Sequence, residues 1–407
     1  MTENDSWLLA LWLLICTLVG GLSYLNPTHY VSPDSTYYLA TTGWLVGVAG
    51  DTYGHTATGW DSTFPVGYPL LIGAVAQLTG TSVLVASKVL AMLLTGGFLL
   101  IWRQRIGARR AIWMGSVFLL GGFLRILTYT WSEGAFLMVL LEWIWLMSQP
   151  TEGIPEQRPH LRYVGKLFML TMALFLLRYV GGYVLIVYGL LTLGTYRKQG
   201  LTNARQRSGP DLLYLGLSAG CMLGYFLLNW LLTSSAYGGE RFVTSPEPAS
   251  DTLSILALSL VNELLLLRDY VPDGSVLLVV VGVVLQVILF RWGWLRLKQQ
   301  RHTLPNWLPT DQQLLRVLLW SAGTYLVVLF ALRFFSPFSG PNARLMAPAS
   351  LPLLMGTAYW VSRWTNVRAR RQLGYCWAAL LLCSWLQLLP QADFWKKMTV
   401  LFGTTRW

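Results

Sequence analysis

Only 12% of the 407 residues are charged, so a charge beside a long apolar run is a candidate for chemistry. Asp34 lies in the segment SPDSTYYLA, just past the first apolar run. Ser32, Pro33 and Asp34 are residue types that begin helices, so Asp34 reads either as a helix cap or as a carboxylate presented by the first turn. A carboxylate held at a membrane interface can take the proton of an attacking hydroxyl or amine, because partial desolvation makes it a stronger base. Arg178, Arg344 and Lys88 are cations beside or within apolar runs, where a charge is a candidate for function. Each has a plainer reading: Arg178 ends an apolar run and can snorkel, Arg344 sits in a Pro- and Gly-flanked segment, and Lys88 lies early in its run. Glu133 opens another run, where a carboxylate suits the helix dipole and is equally able to meet a substrate. Asp51, His55 and Asp61 dot a Gly- and Thr-rich stretch, while Tyr37, Tyr38 and Tyr68 suit anchoring of the chain at the interface.

The elements that must position these residues are membrane helices. Apolar residues make up 54% of the chain and fall into runs near the length of about 20 residues that crosses a bilayer. Eleven such runs are expected as helices: 7–25, 82–102, 111–127, 133–148, 161–178, 180–196, 211–233, 275–291, 314–334, 345–362 and 373–389. Trp and Tyr at the run ends form an interfacial belt. With eleven spans, the basic clusters at 103–110, 158–166, 197–207, 291–301 and 363–371 all share one side. By the positive-inside rule that side is cytoplasmic, with the N-terminus inside and the C-terminus outside. The segment 252–268 is expected to lie on the outer interface, because a span there would invert the 291–301 cluster and bury Asn262 and Glu263. The first run reads as a retained helix, since the residues before it are acidic and no small-residue cleavage site follows.

The expectation is one all-α polytopic membrane domain over 1–407, with long outer segments at 26–81 and 234–274 and no separate soluble C-terminal domain. The first outer segment is apolar enough for short interfacial helices. The net charge of +12 is then topological, and a nucleic-acid partner is not expected. Cys16, Cys221, Cys376 and Cys383 lie in apolar runs without metal spacing. No phosphate-cradling glycine loop precedes a helix, which argues against nucleotide-driven chemistry. His29 and His55 have no fixed ligand spacing, so no metal is assigned, although a divalent ion beside Asp34 or Asp61 stays open.

Several short segments carry a resemblance. Phe64-Pro65-Val66-Gly67-Tyr68-Pro69 is similar to a Pro-rich segment of the GT-C membrane glycosyltransferases, in the branch of protein O-mannosyltransferases and lipid A aminoarabinose transferases. Ser132-Glu133-Gly134, Arg178-Tyr179-Val180-Gly181 and Asn342-Ala343-Arg344-Leu345-Met346-Ala347-Pro348 resemble later motifs of that branch, in the same order. The likeness covers about the first 190 residues and 335–353; Val66 stands where the family usually has a second proline. What it implies is inverting transfer of a sugar from a polyprenyl-phosphate-linked donor, with Asp34 as base, Arg178, Arg344 and Lys88 on the phosphate, which the rigid donor fork of arginine suits, and Tyr37, Tyr38 and Tyr68 available to stack on sugar or lipid. Catalysis would face outward from a bacterial cytoplasmic (inner) membrane. The acceptor, whether glycan, lipid or protein, is not specified. The rival class is a transporter or flippase, but the acidic and aromatic residues gather at one face and not at the midplane where transport sites lie.

Overall fold

The structure, a computed structural model, describes residues 3–47, 59–149, 157–199, 201–238, 247–271, 274–298, 309–335, 342–363 and 367–390. Among them the regular elements are all helical. In order they are α1 (Glu3–Leu25), α2 (Pro33–Leu45), α3 (Gly67–Thr79), α4 (Val83–Ile106), α5 (Ala108–Gly115), α6 (Gly121–Thr128), α7 (Glu133–Ser148) and α8 (Gln157–Leu177). There follow α9 (Tyr183–Gln199), α10 (Leu201–Thr233), α11 (Ala249–Leu264), α12 (Val276–Lys298), α13 (Pro309–Phe335), α14 (Ala343–Ser362) and α15 (Val367–Ser384).

Six of the described helical stretches are long and apolar enough to cross a membrane: Glu3–Leu25, Val83–Ile106, Tyr179–Arg197, Gly209–Thr233, Val276–Arg296 and Asp311–Phe335. A seventh is counted if a bent pair is one span. That pair corrects the expected continuous helix over 111–127. Ala108–Leu119 and Gly121–Thr128 meet at 77°. Leu120 adopts an extended ψ of 135° there, and the freed N–H of Gly121 donates to Ser384 Oγ at 3.0 Å. Other expected runs form helices that miss the criterion of length or composition: α7 has only 16 residues, and α8 starts on a polar turn. Residues 252–268 give α11, which also falls outside the set and packs on α13 and α14.

The packing explains why α7 can be short. Leu137, Leu140, Leu141, Trp143 and Ile144 are fully enclosed by neighbours that include α4, α8, α13 and α14. The helix is apolar on nearly every side, as an enclosed helix must be, and its one mid-helix charge, Glu142, is paired with Arg105 and Trp102. Its first residue, Glu133, is therefore delivered into the interior of the bundle. α10 and α12, in contrast, expose rows of Leu and Val, the surface a lipid environment requires.

Candidate active site

The site is assembled on five helix starts and breaks. Ser32 caps α2 through its hydroxyl, which accepts the Ser35 N–H, and Ser35 returns the bond to the Ser32 N–H. Pro33 fits the first turn, where no backbone donor is needed. The cap is thus Ser32. Asp34 has no capping duty, and its carboxylate goes to a distant partner: Oδ2 lies 2.5 Å from Arg344 Nη2.

Arg344 opens α14, whose start is capped by Asn342 Oδ1 accepting from the N–H groups of Arg344 and Leu345. Tyr325 of α13 donates to the Leu345 carbonyl at 2.8 Å and fixes the same turn. Arg178 stands in extended backbone between α8 and a 3-10 turn at Tyr179–Gly182. The tight reversal requires Gly181, because a Cβ there would lie 2.4 Å from the carbonyl of Leu174.

Glu133 joins these cations. Its Oε1 accepts from Arg344 Nε and pairs with Arg178 Nη1, while the whole residue is buried. Two guanidiniums and two carboxylates thus balance in charge. The Glu133 Oε2 atom is buried with no hydrogen-bond partner among the described residues. Burial alone would weaken the charge on Arg178, but the Glu133 carboxylate overrides it and drives the guanidinium pKa up. The side chains of Arg178 and Arg344 are 16% and 14% exposed, against 36% for Asp34, so the carboxylate marks the open side.

The short connection from α6 to α7 holds the assembly together. Trp131 Nε1 donates to Ser32 Oγ at 2.7 Å, and the Arg344 guanidinium lies 4.4 Å from the centre of a Trp131 ring. Ser132 Oγ and Tyr38 OH are hydrogen-bonded at 2.9 Å. Tyr38 and Tyr68 are buried edge to face, so in this state they support the site from behind. Burial, with the Glu133 charge adding to it, raises both phenols above their ordinary range and keeps them protonated. Tyr37 packs on Phe64.

The segment before α3 is pinned from the other flank. Gly67 approaches α8 so closely that a Cβ would lie 2.5 Å from the Leu176 carbonyl, two residues before Arg178. Tyr225 OH accepts the Val66 N–H, and Tyr179 OH donates to the Ser62 carbonyl.

The structure brings together Asp34, Glu133, Arg178 and Arg344 from four distant parts of the sequence. It does not bring Lys88 to them. The Lys88 ammonium is buried and donates to the Thr128 carbonyl at 2.6 Å and to Thr130 Oγ1 at 3.0 Å. Asp61 accepts the Thr63 N–H in a local turn, and His29 Nδ1 lies 3.0 Å from the Ser23 carbonyl. Asp51 and His55 lie outside the described residues. No group of three His, Cys, Asp or Glu side chains among the described residues could hold a metal ion. Trp131 and Tyr325 were not anticipated; the one available signal was that Trp131 directly precedes Ser132-Glu133.

The fold is shared with a solved membrane protein, ArnT, a member of the group that the sequence motifs resemble. The chain is similar to ArnT from Cupriavidus metallidurans bound to undecaprenyl phosphate, with a TM-score of 0.51 and 14% identity over 92% of this chain and 61% of that one. For the apo state of the same protein the TM-score is 0.51 and the identity 16%, covering 92% and 63%. The chain therefore spans about three fifths of the length of ArnT. No family model and no curated protein matches the sequence.

Proposed function

We propose that the chain is a glycosyltransferase that moves a sugar from a polyprenyl-phosphate-linked donor to an acceptor at the outer face of the membrane. The carrying observation is the cluster of Asp34, Glu133, Arg178 and Arg344 at helix starts and breaks, with the Asp34 side open. The ArnT-like fold and the undecaprenyl phosphate bound by that protein support the donor class.

The chemistry follows from the residues. The donor phosphate takes Arg344 and Arg178 away from their carboxylates and is held by their donor forks. Asp34, released, faces the incoming acceptor. The acceptor oxygen or nitrogen attacks the anomeric carbon and its proton passes to Asp34. The bond from that carbon to the phosphate oxygen breaks, and the phosphate leaves with the electron pair between the two arginines. Attack from the side opposite the leaving group inverts the anomeric centre. In this reading the basic loops are cytoplasmic and the site opens outward, in an inner membrane.

The test is turnover of undecaprenyl-phosphate-linked sugars by the purified chain in lipid. D34N should keep its melting temperature and lose about 10²- to 10⁴-fold in rate, the usual contribution of a general base. A D34N variant with wild-type turnover overturns the assignment of the base. Saturable solute flux without turnover of any such sugar overturns the enzyme reading.

A further inference from the structure

Trp131 touches both the cap of the helix carrying Asp34 and the guanidinium of Arg344. Its indole N–H is bonded to Ser32, the cap of α2, two residues before Asp34. One indole face is covered by Tyr129, stacked at 3.9 Å and 4°. Tyr129 is in turn met edge-on by Tyr30 at 4.9 Å. Only the other face remains for Arg344, whose guanidinium sits there at 4.4 Å. The indole is 9% exposed, so neither contact is a loose surface encounter.

We infer that Trp131 is a positioning residue of the proposed sugar transfer, which sets the distance between base and phosphate ligand through two separable contacts. The inference rests on the glycosyltransferase reading for its kinetic consequence, but not for its geometry. The N–H contact fixes where α2 begins and so where Asp34 stands. The ring face orients the Arg344 fork and restricts its rotamers. An aromatic face holds a partly desolvated guanidinium better than an aliphatic one does, because the ring quadrupole attracts the cation.

The two contacts are separated by substitution. W131F keeps a ring face and loses the N–H; W131L loses both. W131F should lower kcat by about fivefold, the worth of one hydrogen bond, with the donor KM near wild type. W131L should in addition raise the donor KM by about tenfold, the worth of a partly buried cation–π contact. In an R344A background, W131L should raise KM no further, because its effect passes through Arg344.

A second readout needs no substrate. Modification of Arg344 by phenylglyoxal, followed by mass spectrometry, should be several-fold faster in W131L and unchanged in W131F. Arg103, at 42% exposure, serves as the internal reference, and the melting temperature as the folding control. Additive effects of W131L and R344A on KM overturn the inference, as does equal labelling of Arg344 in all three proteins. If wild type turns over no polyprenyl-phosphate sugar, the functional reading falls, and the labelling still decides whether Trp131 holds Arg344.

Discussion

In the proposed reaction Asp34 and the donor phosphate would compete for the same guanidinium, so removing the carboxylate should tighten phosphate binding while it slows catalysis. In the structure Arg344 Nη2 is engaged by Asp34 Oδ2 at 2.5 Å, and a phosphate cannot occupy that donor until the ion pair opens. The cost of opening is moderate. Asp34 is 36% exposed, and an ion pair open to water on one side is worth about 1 kcal/mol at most. A second gain comes from net charge. Two arginines and two carboxylates sum to zero, and D34N leaves +1 facing the ligand. At about 7 Å, with an effective dielectric between 20 and 80, that unit is worth about 0.5–2 kcal/mol. Both terms overlap, so D34N should bind undecaprenyl phosphate about 5- to 30-fold more tightly, equivalent to about 1–2 kcal/mol. The assay is titration of undecaprenyl phosphate against the protein in nanodiscs. The gap between wild type and D34N should narrow at high salt, since the charge term is screened. Affinity in D34N equal to or weaker than wild type refutes the competition, as does the same gain in an R344A background.

Other consequences follow from the same contacts. E133Q removes a buried carboxylate from two guanidiniums and should cost about 3 kcal/mol, read as a lower melting temperature with loss of donor binding; an unchanged melting temperature counts against Glu133 as the hub of the cluster. G67A forces a methyl group against the Leu176 carbonyl and should destabilise by about 1–3 kcal/mol, with α3 displaced from α8 in hydrogen exchange. Glu263 has its pKa raised to about 7 by burial, with Asp269 adding to the rise. Between the ordinary glutamate value of 4.5 and about 7 the folded state holds a proton that the unfolded chain has released, so stability falls as pH rises over that window and levels off above it. The melting temperature should drop across that range, and E263Q should flatten the slope.

What the sequence made legible was the charge. In an apolar chain each carboxylate or arginine beside a run stands out against the cost of burying it, and Asp34, Glu133, Arg178 and Arg344 could be selected on that ground together with the motifs that hold them. Their grouping was less legible, because it depends on contacts across up to 310 residues, from Asp34 to Arg344. Trp131 illustrates the limit. The chain holds 20 tryptophans, several of them at the ends of apolar runs where interfacial anchoring explains them, so nothing in residue type marks the one that carries Arg344. The break at Leu120 was hidden for a related reason. No proline announces it, and the Gly121–Gly122 pair permits a bend without requiring one. What fixes the bend is Ser384, more than 260 residues later, whose hydroxyl takes the freed N–H.

Lys88 shows why an intramembrane charge needs its partners before it is assigned to a ligand. Its ammonium is buried and has no carboxylate in contact among the described residues, which by itself favours a substrate anion. The structure spends two of its donors on Thr128 and Thr130, in the same connection that presents Trp131, Ser132 and Glu133. Ser87, the preceding residue, bonds to Thr130 as well. Lys88 is thus placed to hold the connection against α4. The two roles differ in their consequence for K88M, which keeps the length of the stem and removes the donors. A phosphate ligand lost in this way weakens donor binding without changing stability. A brace lost in this way leaves the Thr128 carbonyl unsatisfied, at about 1–3 kcal/mol, and lowers the melting temperature first. The expected result is the second, with undecaprenyl phosphate affinity within about twofold of wild type once the protein is measured well below its melting point, a difference of about 0.4 kcal/mol. Loss of affinity at unchanged stability returns Lys88 to the phosphate site.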